Sequence, residues 1–210
     1  MKDICILSDF DGTITKKDGL YSFISKYAQN NWEEIEQMWA NGKIDSKTCL
    51  IKEFELVPNL SEKLISDFVK TVEIDEYFID FYKNLRQKNI DFFIVSDGID
   101  YFINQILKKY NLDDIKIISN HGEFFNKNFV ITFPNDYKGC KNNAGTCKCK
   151  VLSDLKKRYQ EIIYVGDGVS DYCVADKADI LYAKLRLFEY CKKNEILCIK
   201  YETFNDIELF

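Results

Sequence analysis

The sequence predicts an α/β protein: a parallel sheet with helices on both faces, carrying a small all-helical unit inserted after the first strand. Three observations lead there. The runs Ile4-Cys5-Ile6-Leu7, 90–95 and 161–165 are apolar without alternation, the pattern of strands buried on both faces. Helical periodicities separate these runs, as crossovers between parallel strands require. Residues 20–70 hold helical patterns and no strand pattern at all.

The first strand runs into Ser8-Asp9-Phe10-Asp11-Gly12-Thr13, which sets two acids at one strand end. On an extended segment Asp9 and Asp11 point the same way, and Gly12 lets the chain turn away without room for a Cβ. Two carboxylates that close are tolerable if a cation lies between them or one keeps its proton. Helical segments follow over 20–28, 32–40, 44–56 and 60–69, punctuated by Asn41-Gly42 and Pro58-Asn59. A further helix is expected over 74–88, with Ile74, Phe78, Phe81, Tyr82 and Leu85 on one face.

The strand over 90–95 ends in Ser96-Asp97-Gly98, before a helix that puts Phe102, Ile103, Ile106 and Leu107 on one face. A strand, a short polar turn and a helix start can hold an anion between a hydroxyl and free N–H groups. A third strand covers 115–119, and 123–133 forms a hairpin around Asn126-Lys127-Asn128, with His121 in a structural turn beside Gly122. After a polar loop over 134–148, a helix carries Val151, Leu152, Leu155 and Tyr159. Lys148 at its entrance is electrostatically misplaced unless something negative lies nearby, because a helix N-terminus is itself positive; Lys150 is the alternative. The strand over 161–165 leads into Gly166-Asp167-Gly168-Val169-Ser170-Asp171, whose acids can help complete an oxygen cage for a hard cation. Strands over 180–183 and 196–200, a helix over 185–193 and a short C-terminal helix complete the sheet.

In a parallel sheet these strand ends share one edge, so Asp9, Asp11, Ser96, Lys148, Asp167 and Asp171 are expected to converge. The chain has 210 residues, 46% of them hydrophobic, enough for one sizeable core, and its net charge of −5 argues against non-specific binding to nucleic acid or an anionic membrane. The apolar run behind Asp3 is too short for a signal peptide, and a cytoplasmic location is expected. Most of the eight cysteines are read as reduced. Cys140, Cys147 and Cys149 cluster in the polar loop, where zinc or a labile disulfide stays open.

In order and local sequence, DFDGT, S-D-G, Lys and GDGxxD resemble the haloacid dehalogenase superfamily of phosphatases, across nearly the whole chain. The resemblance implies a Rossmann-like core over 1–13 and 72–210 and a helical cap over 14–71, of the kind kept by the phosphoserine-phosphatase-like branch. It implies that Asp9 is the nucleophile and Asp11 the acid and base. Mg2+ would be held by Asp9, the Asp11 carbonyl and Asp167, with Asp171 in support. Ser96, Asp97, Gly98 and Lys148 would bind phosphate, Lys148 being the lysine that aligns. Asp18 matches a cap-proximal acid that contacts substrate, and equally suits a helix cap. Within the branch, S-D-G-I-D-Y-F-I and C-K-C-K-V-L are similar to methionine-salvage and phosphoethanolamine/phosphocholine phosphatases. Asp97 departs from the Gly common in methionine-salvage and phosphoserine enzymes, which puts phosphoserine itself in doubt. The expected partner is therefore a small phosphorylated metabolite. An acid at Asp11 favours phosphate over halide as leaving group, since a departing halide needs no proton. A phosphotransferase or mutase, and a non-catalytic phospho-receiver, are the alternatives, and oligomeric state is open.

Overall fold

The computed structural model describes residues 2–140 and 143–208. Lys141 and Asn142 of the polar loop, and Met1, Leu209 and Phe210 at the ends of the expected core, lie outside the described residues. Strands β1 (Lys2–Ser8), β2 (Asp91–Ile99), β3 (Lys116–Phe125), β4 (Asn128–Thr132), β5 (Tyr159–Gly166), β6 (Ile180–Ala183) and β7 (Ile199–Lys200) form one sheet. Its order is β4-β3-β2-β1-β5-β6-β7. Every neighbouring pair is parallel except the β3–β4 hairpin. The helices are α1 (Gly19–Tyr27), α2 (Trp32–Ala40), α3 (Ser46–Glu55), α4 (Glu62–Val69), α5 (Phe78–Gln87), α6 (Asp100–Lys109), α7 (Lys148–Leu155) and α8 (Leu185–Lys193).

Strand alternation sorts the core into two layers. Ile6, Phe92, Ile94, Ile163 and Val165 face one side with buried residues of α5 and α6, whereas Cys5, Leu7, Phe93, Val95, Ile162 and Tyr164 face α7 and α8. Register then aligns the strand ends. Ser8, the last residue of β1, pairs with Ile94 of β2 and Val165 of β5, and the Asp9 N–H donates to the Val165 carbonyl at 2.9 Å. Asp9, Ser96 and Asp167 therefore emerge at one level.

Helices α1 to α4 lie between β1 and α5, and the chain enters and leaves them at one point, where Thr15 bridges Ile74 and the Asp75 N–H donates to the Ile14 carbonyl at 2.8 Å. Three helices are capped by the residues their sequences offer: Asp18 accepts from Tyr21 N, Asp45 from Thr48 N and Ser61 from Leu64 N. The insert packs on the core through aromatic edges. Phe23 meets Phe102 of α6 at 4.9 Å between centroids, and Phe54 stacks on Phe129 of β4 at 5.4 Å. Each such ring contributes about 1.5–3 kcal/mol by burial alone. No helix among the described residues is long and apolar enough to cross a membrane.

Several elements differ from the sequence expectation. Helix α5 starts at Phe78 because Ile74 is held in the bridge to Thr15. Strand β2 continues through Ser96-Asp97-Gly98, with an irregular register between Val95 and Ile99, so these residues extend a strand instead of forming a turn. His121 lies within β3, not in a turn; its Nδ1 is 2.8 Å from Asp100 Oδ2. Tyr159 opens β5 instead of ending α7, β7 is confined to Ile199–Lys200, and the C-terminal helix is a 3-10 turn over Phe204–Asp206.

Candidate active site

Strand β1 ends at Ser8, and the backbone N–H groups of Thr13, Ile14 and Thr15 all donate to the Phe10 carbonyl. A turn thus begins between Asp9 and Asp11, and their side chains take different partners. Asp9 is 5% exposed. Its Oδ1 accepts from the Phe10 N–H at 2.7 Å and its Oδ2 lies 2.8 Å from Lys148 Nζ and 3.5 Å from Ser170 Oγ. Asp11 Oδ1 instead accepts from the Gly19 N–H, the first residue of α1, at 2.8 Å. Gly12 adopts φ +75°, and a Cβ there would lie 2.6 Å from Asp167 Oδ2. Glycine is required at that position on both counts.

Lys148 is 2% exposed at the start of α7. Its ammonium group reaches Asp9, Asp171 Oδ1 at 2.6 Å and Ser170 Oγ at 2.8 Å, which uses all three protons. Burial pulls its pKa down, and the charges of Asp171 and Asp9 overcome this and leave it raised. Lys150, the other candidate, pairs with Asp154 on the surface. The misplaced cation is thus explained by two carboxylates waiting at the helix entrance.

Asp171 is fully buried, and its oxygens accept from Lys148, from the Tyr164 hydroxyl at 2.6 Å and from the Asp167 and Gly168 N–H groups at 3.0 and 3.1 Å. So many donors make it the group that orients Lys148. Asp167 Oδ1 accepts from Thr13 Oγ1 at 2.7 Å. Ser96 Oγ accepts from the Gly98 N–H at 2.9 Å, which leaves its own proton free to donate. Asp97 is turned elsewhere. Its Oδ1 accepts from Thr146 N, in the loop before α7, at 2.9 Å and from Asn120 Nδ2 of β3 at 3.2 Å. Asp18 caps α1 with an exposed side chain.

The electrostatics are those of crowded acids. Burial, then the Asp171 charge, push the Asp9 carboxyl well above the usual range, with Lys148 pulling it back. Burial, then Asp18, lift Asp11 to about 8, and burial, then Asp171, lift Asp167 to about 6. One oxygen each of Asp9, Asp167 and Asp171 lies within 4.8 Å of the other two. A hard divalent cation fits this all-oxygen set, and its charge would restore the ionised carboxylates.

Sequence reasoning missed Tyr164 and Ser170. A tyrosine in an otherwise aliphatic buried strand is itself a signal, because its hydroxyl needs a partner. Ser170 had only its position beside Asp171 to mark it. All eight cysteines are free among the described residues, and there the Cys140, Cys147 and Cys149 thiols do not all lie within 4.8 Å of one another.

Comparison with known proteins agrees with this geometry. A family model described as "Putative Phosphatase" matches residues 4–186. The chain is 29% identical over 207 residues to a 2-hydroxy-3-keto-5-methylthiopentenyl-1-phosphate phosphatase of Bacillus thuringiensis (strain Al Hakam), covering 98% of this chain and 94% of the relative. Among solved structures, a haloacid dehalogenase family hydrolase from Salmonella enterica serovar Typhi superposes with a TM-score of 0.74 at 20% identity, covering 97% of this chain and 69% of that one. A phospho-aspartyl intermediate analogue of phosphoserine phosphatase gives 0.71 at 21% identity, covering 98% and 97%. The chain belongs to this phosphatase family, with the haloacid dehalogenase fold of the phosphoserine-phosphatase-like branch. It is a phosphoric monoester hydrolase, and the receiver alternative falls away.

Proposed function

We propose that the protein hydrolyses a small phosphorylated metabolite with Mg2+, in two steps through an aspartyl-phosphate on Asp9, and that it does so in the cytoplasm. The observation that carries this reading is the buried contact of Lys148 with both Asp9 and Asp171 beside a second acid, Asp11, that is held by a different donor, the Gly19 N–H. Asp9 and Asp167 would hold the cation with the Asp11 carbonyl. Bound there, Mg2+ cancels the repulsion between carboxylate and phosphate.

The residues of the chain divide the remaining work. An Asp9 oxygen attacks phosphorus as the ester P–O bond breaks, and the Asp11 carboxyl gives its proton to the departing oxygen. Asp11, now ionised, takes a proton from water as that water attacks the aspartyl-phosphate, which returns Asp9 and releases inorganic phosphate. Lys148, whose proton on Asp9 is released as that carboxylate turns to phosphorus, and the free Ser96 proton meet the phosphoryl oxygens. Helices α1 to α4 act as a cap that excludes bulk water.

For the substrate, the named activity of the Bacillus relative supports a methionine-salvage type of phosphomonoester. Asp97 meets only neutral donors, Thr146 N and Asn120 Nδ2, which orient its carboxyl without cancelling its charge, so substrates with a second negative group remain disfavoured. Purified Asp9→Asn protein should keep its fold by circular dichroism and show no hydrolysis of an aryl phosphate or of a panel including the salvage intermediate, phosphocholine and phosphoserine. Normal turnover by that variant would remove Asp9 as nucleophile. Preference for phosphocholine within the panel would overturn the substrate class alone.

A further inference from the structure

A second cluster of ionisable groups lies in the insert, outside the site at the strand ends. Glu36 belongs to α2, and Cys49 and Glu53, one turn apart, share a face of α3. Packing of α2 on α3 brings one oxygen of each glutamate and the Cys49 Sγ within 4.8 Å of one another, with Cys49 Sγ 3.9 Å from Glu36 Oε2. Cys49 is 5% and Glu53 8% exposed, while Glu36 is half-buried.

Among the described residues the hydrogen-bond partners of the Glu53 carboxylate are Glu36 and Cys49, and no lysine or arginine pairs with it. Burial, then the Glu36 charge, push Glu53 up to about 8, and burial raises Glu36 and the Cys49 thiol as well. Asp18 adds further negative charge to both glutamates, and Arg186 acts on Glu36 as a smaller opposing influence. A buried and a half-buried acid that face each other with only a thiol as donor hold either a shared proton or a cation.

We propose that Glu36, Cys49 and Glu53 form a binding site for a divalent transition cation of the zinc class, separate from the hard-cation site of Asp9 and Asp167. The donor set decides the class of ion. A thiolate with two carboxylates suits zinc, whereas magnesium and calcium select oxygen alone. Zinc takes sulfur at about 2.3 Å and carboxylate oxygen at about 2.0–2.2 Å, so ligands round one ion lie about 3.5 Å apart, and from 3.9 Å between Cys49 and Glu36 and no more than 4.8 Å within the set a small closure would bring them there. Three protein ligands leave a fourth position for water. Binding releases the Cys49 proton and whatever proton the glutamates share, so affinity rises with pH. The ion would tie α2 to α3.

The test uses the full chain, freed of metal by a chelator and then saturated with Mg2+ to fill the strand-end site. Titration with Co2+ should give one equivalent carrying a thiolate-to-cobalt absorption in the near ultraviolet, which Zn2+ displaces. Cys49→Ser should remove that absorption, Cys149→Ser should keep it, and Glu53→Gln, which keeps the thiol, should weaken binding about tenfold or more. Absence of the absorption in the native protein overturns the proposal. So does its survival in Cys49→Ser, its loss in Cys149→Ser, or unchanged affinity in Glu53→Gln. The glutamine variant decides between these outcomes even if the serine variant does not fold.

Discussion

Asp171 and Glu53 are both buried acids set on short helical segments, and they differ in what meets them. Asp171, with no exposed surface, receives an ammonium group, a phenol and two backbone N–H groups. Glu53, nearly as buried, faces another glutamate and a thiol, and burial holds its carboxyl up at about 8. Burial costs both acids their hydration. Four donors offset that cost for Asp171, whereas among the described residues Glu53 meets only the Cys49 thiol and the Glu36 carboxyl. Depth alone therefore says little about an acid; the number of donors reaching it separates a positioning group from one that awaits a cation.

The strongest challenge to this contrast is to take the cation away from Asp171. Lys148→Met should lower turnover about a thousandfold, because phosphoryl charge loses its fixed partner. It should also destabilise the fold by about 3–5 kcal/mol in urea titration, since Asp9 and Asp171 are left buried and unpaired. Lys150→Met, which removes only a surface pair, should move stability by less than about 1 kcal/mol. Equal effects from the two lysines would mean that the buried contacts carry no special energy.

Asp11→Asn comes next, with turnover down about 10²–10⁴-fold. Phosphorylation of Asp9 by an activated aryl phosphate should persist, seen as a burst of phenol without steady release. Burial, then Asp18, lift the Asp11 carboxyl to about 8 before a cation binds, so turnover should fall as pH rises through the value this proton keeps in the loaded enzyme. The asparagine variant should lack this alkaline limb.

Gly19→Ala sets two effects of opposite sign against each other. Alanine favours a helix over glycine by about 1 kcal/mol. Its Cβ, however, would stand 2.8 Å from Asp11 Oδ1. The contact should win in catalysis, with turnover down about tenfold and stability little changed. A variant that is more stable and fully active would show that Asp11 has room to move.

The smallest effect belongs to His121. Its Nδ1 is 2.8 Å from Asp100, and that hydrogen bond raises its pKa. A raised folded pKa gives stability that is complete below the unfolded value of about 6.5 and is lost as pH climbs through the folded one. His121→Gln should therefore cost less than about 1 kcal/mol near pH 5.5, since the pair is exposed, and nothing measurable near pH 9.

Much of the sheet and the strand-end acids was legible in the sequence because both rest on local signals: unbroken apolar runs and acids directly after them. Lys148 was legible as an anomaly, a cation at the wrong end of a helix. The directions of side chains were not. Asp97 turns to Thr146 and Asn120 because β2 runs on past its expected end, which depends on pairing with β3. Ile74 leaves its helical pattern for a bridge to Thr15, a contact set by closure of the insert's neck. The Glu36, Cys49 and Glu53 cluster depends on how α2 meets α3, and no spacing within either helix announces it.

The hydrogen bond from Gly19 to Asp11 bears on timing. The acid belongs to the sheet edge, but the donor that fixes its direction is the first N–H of α1. If the insert opens and closes as the proposed cap, a motion that lifts α1 from the strand ends would also break this contact. The proton donor would then be untethered whenever water is admitted and aimed whenever it is excluded. One 2.8 Å contact would in that case be an interlock between closure and chemistry.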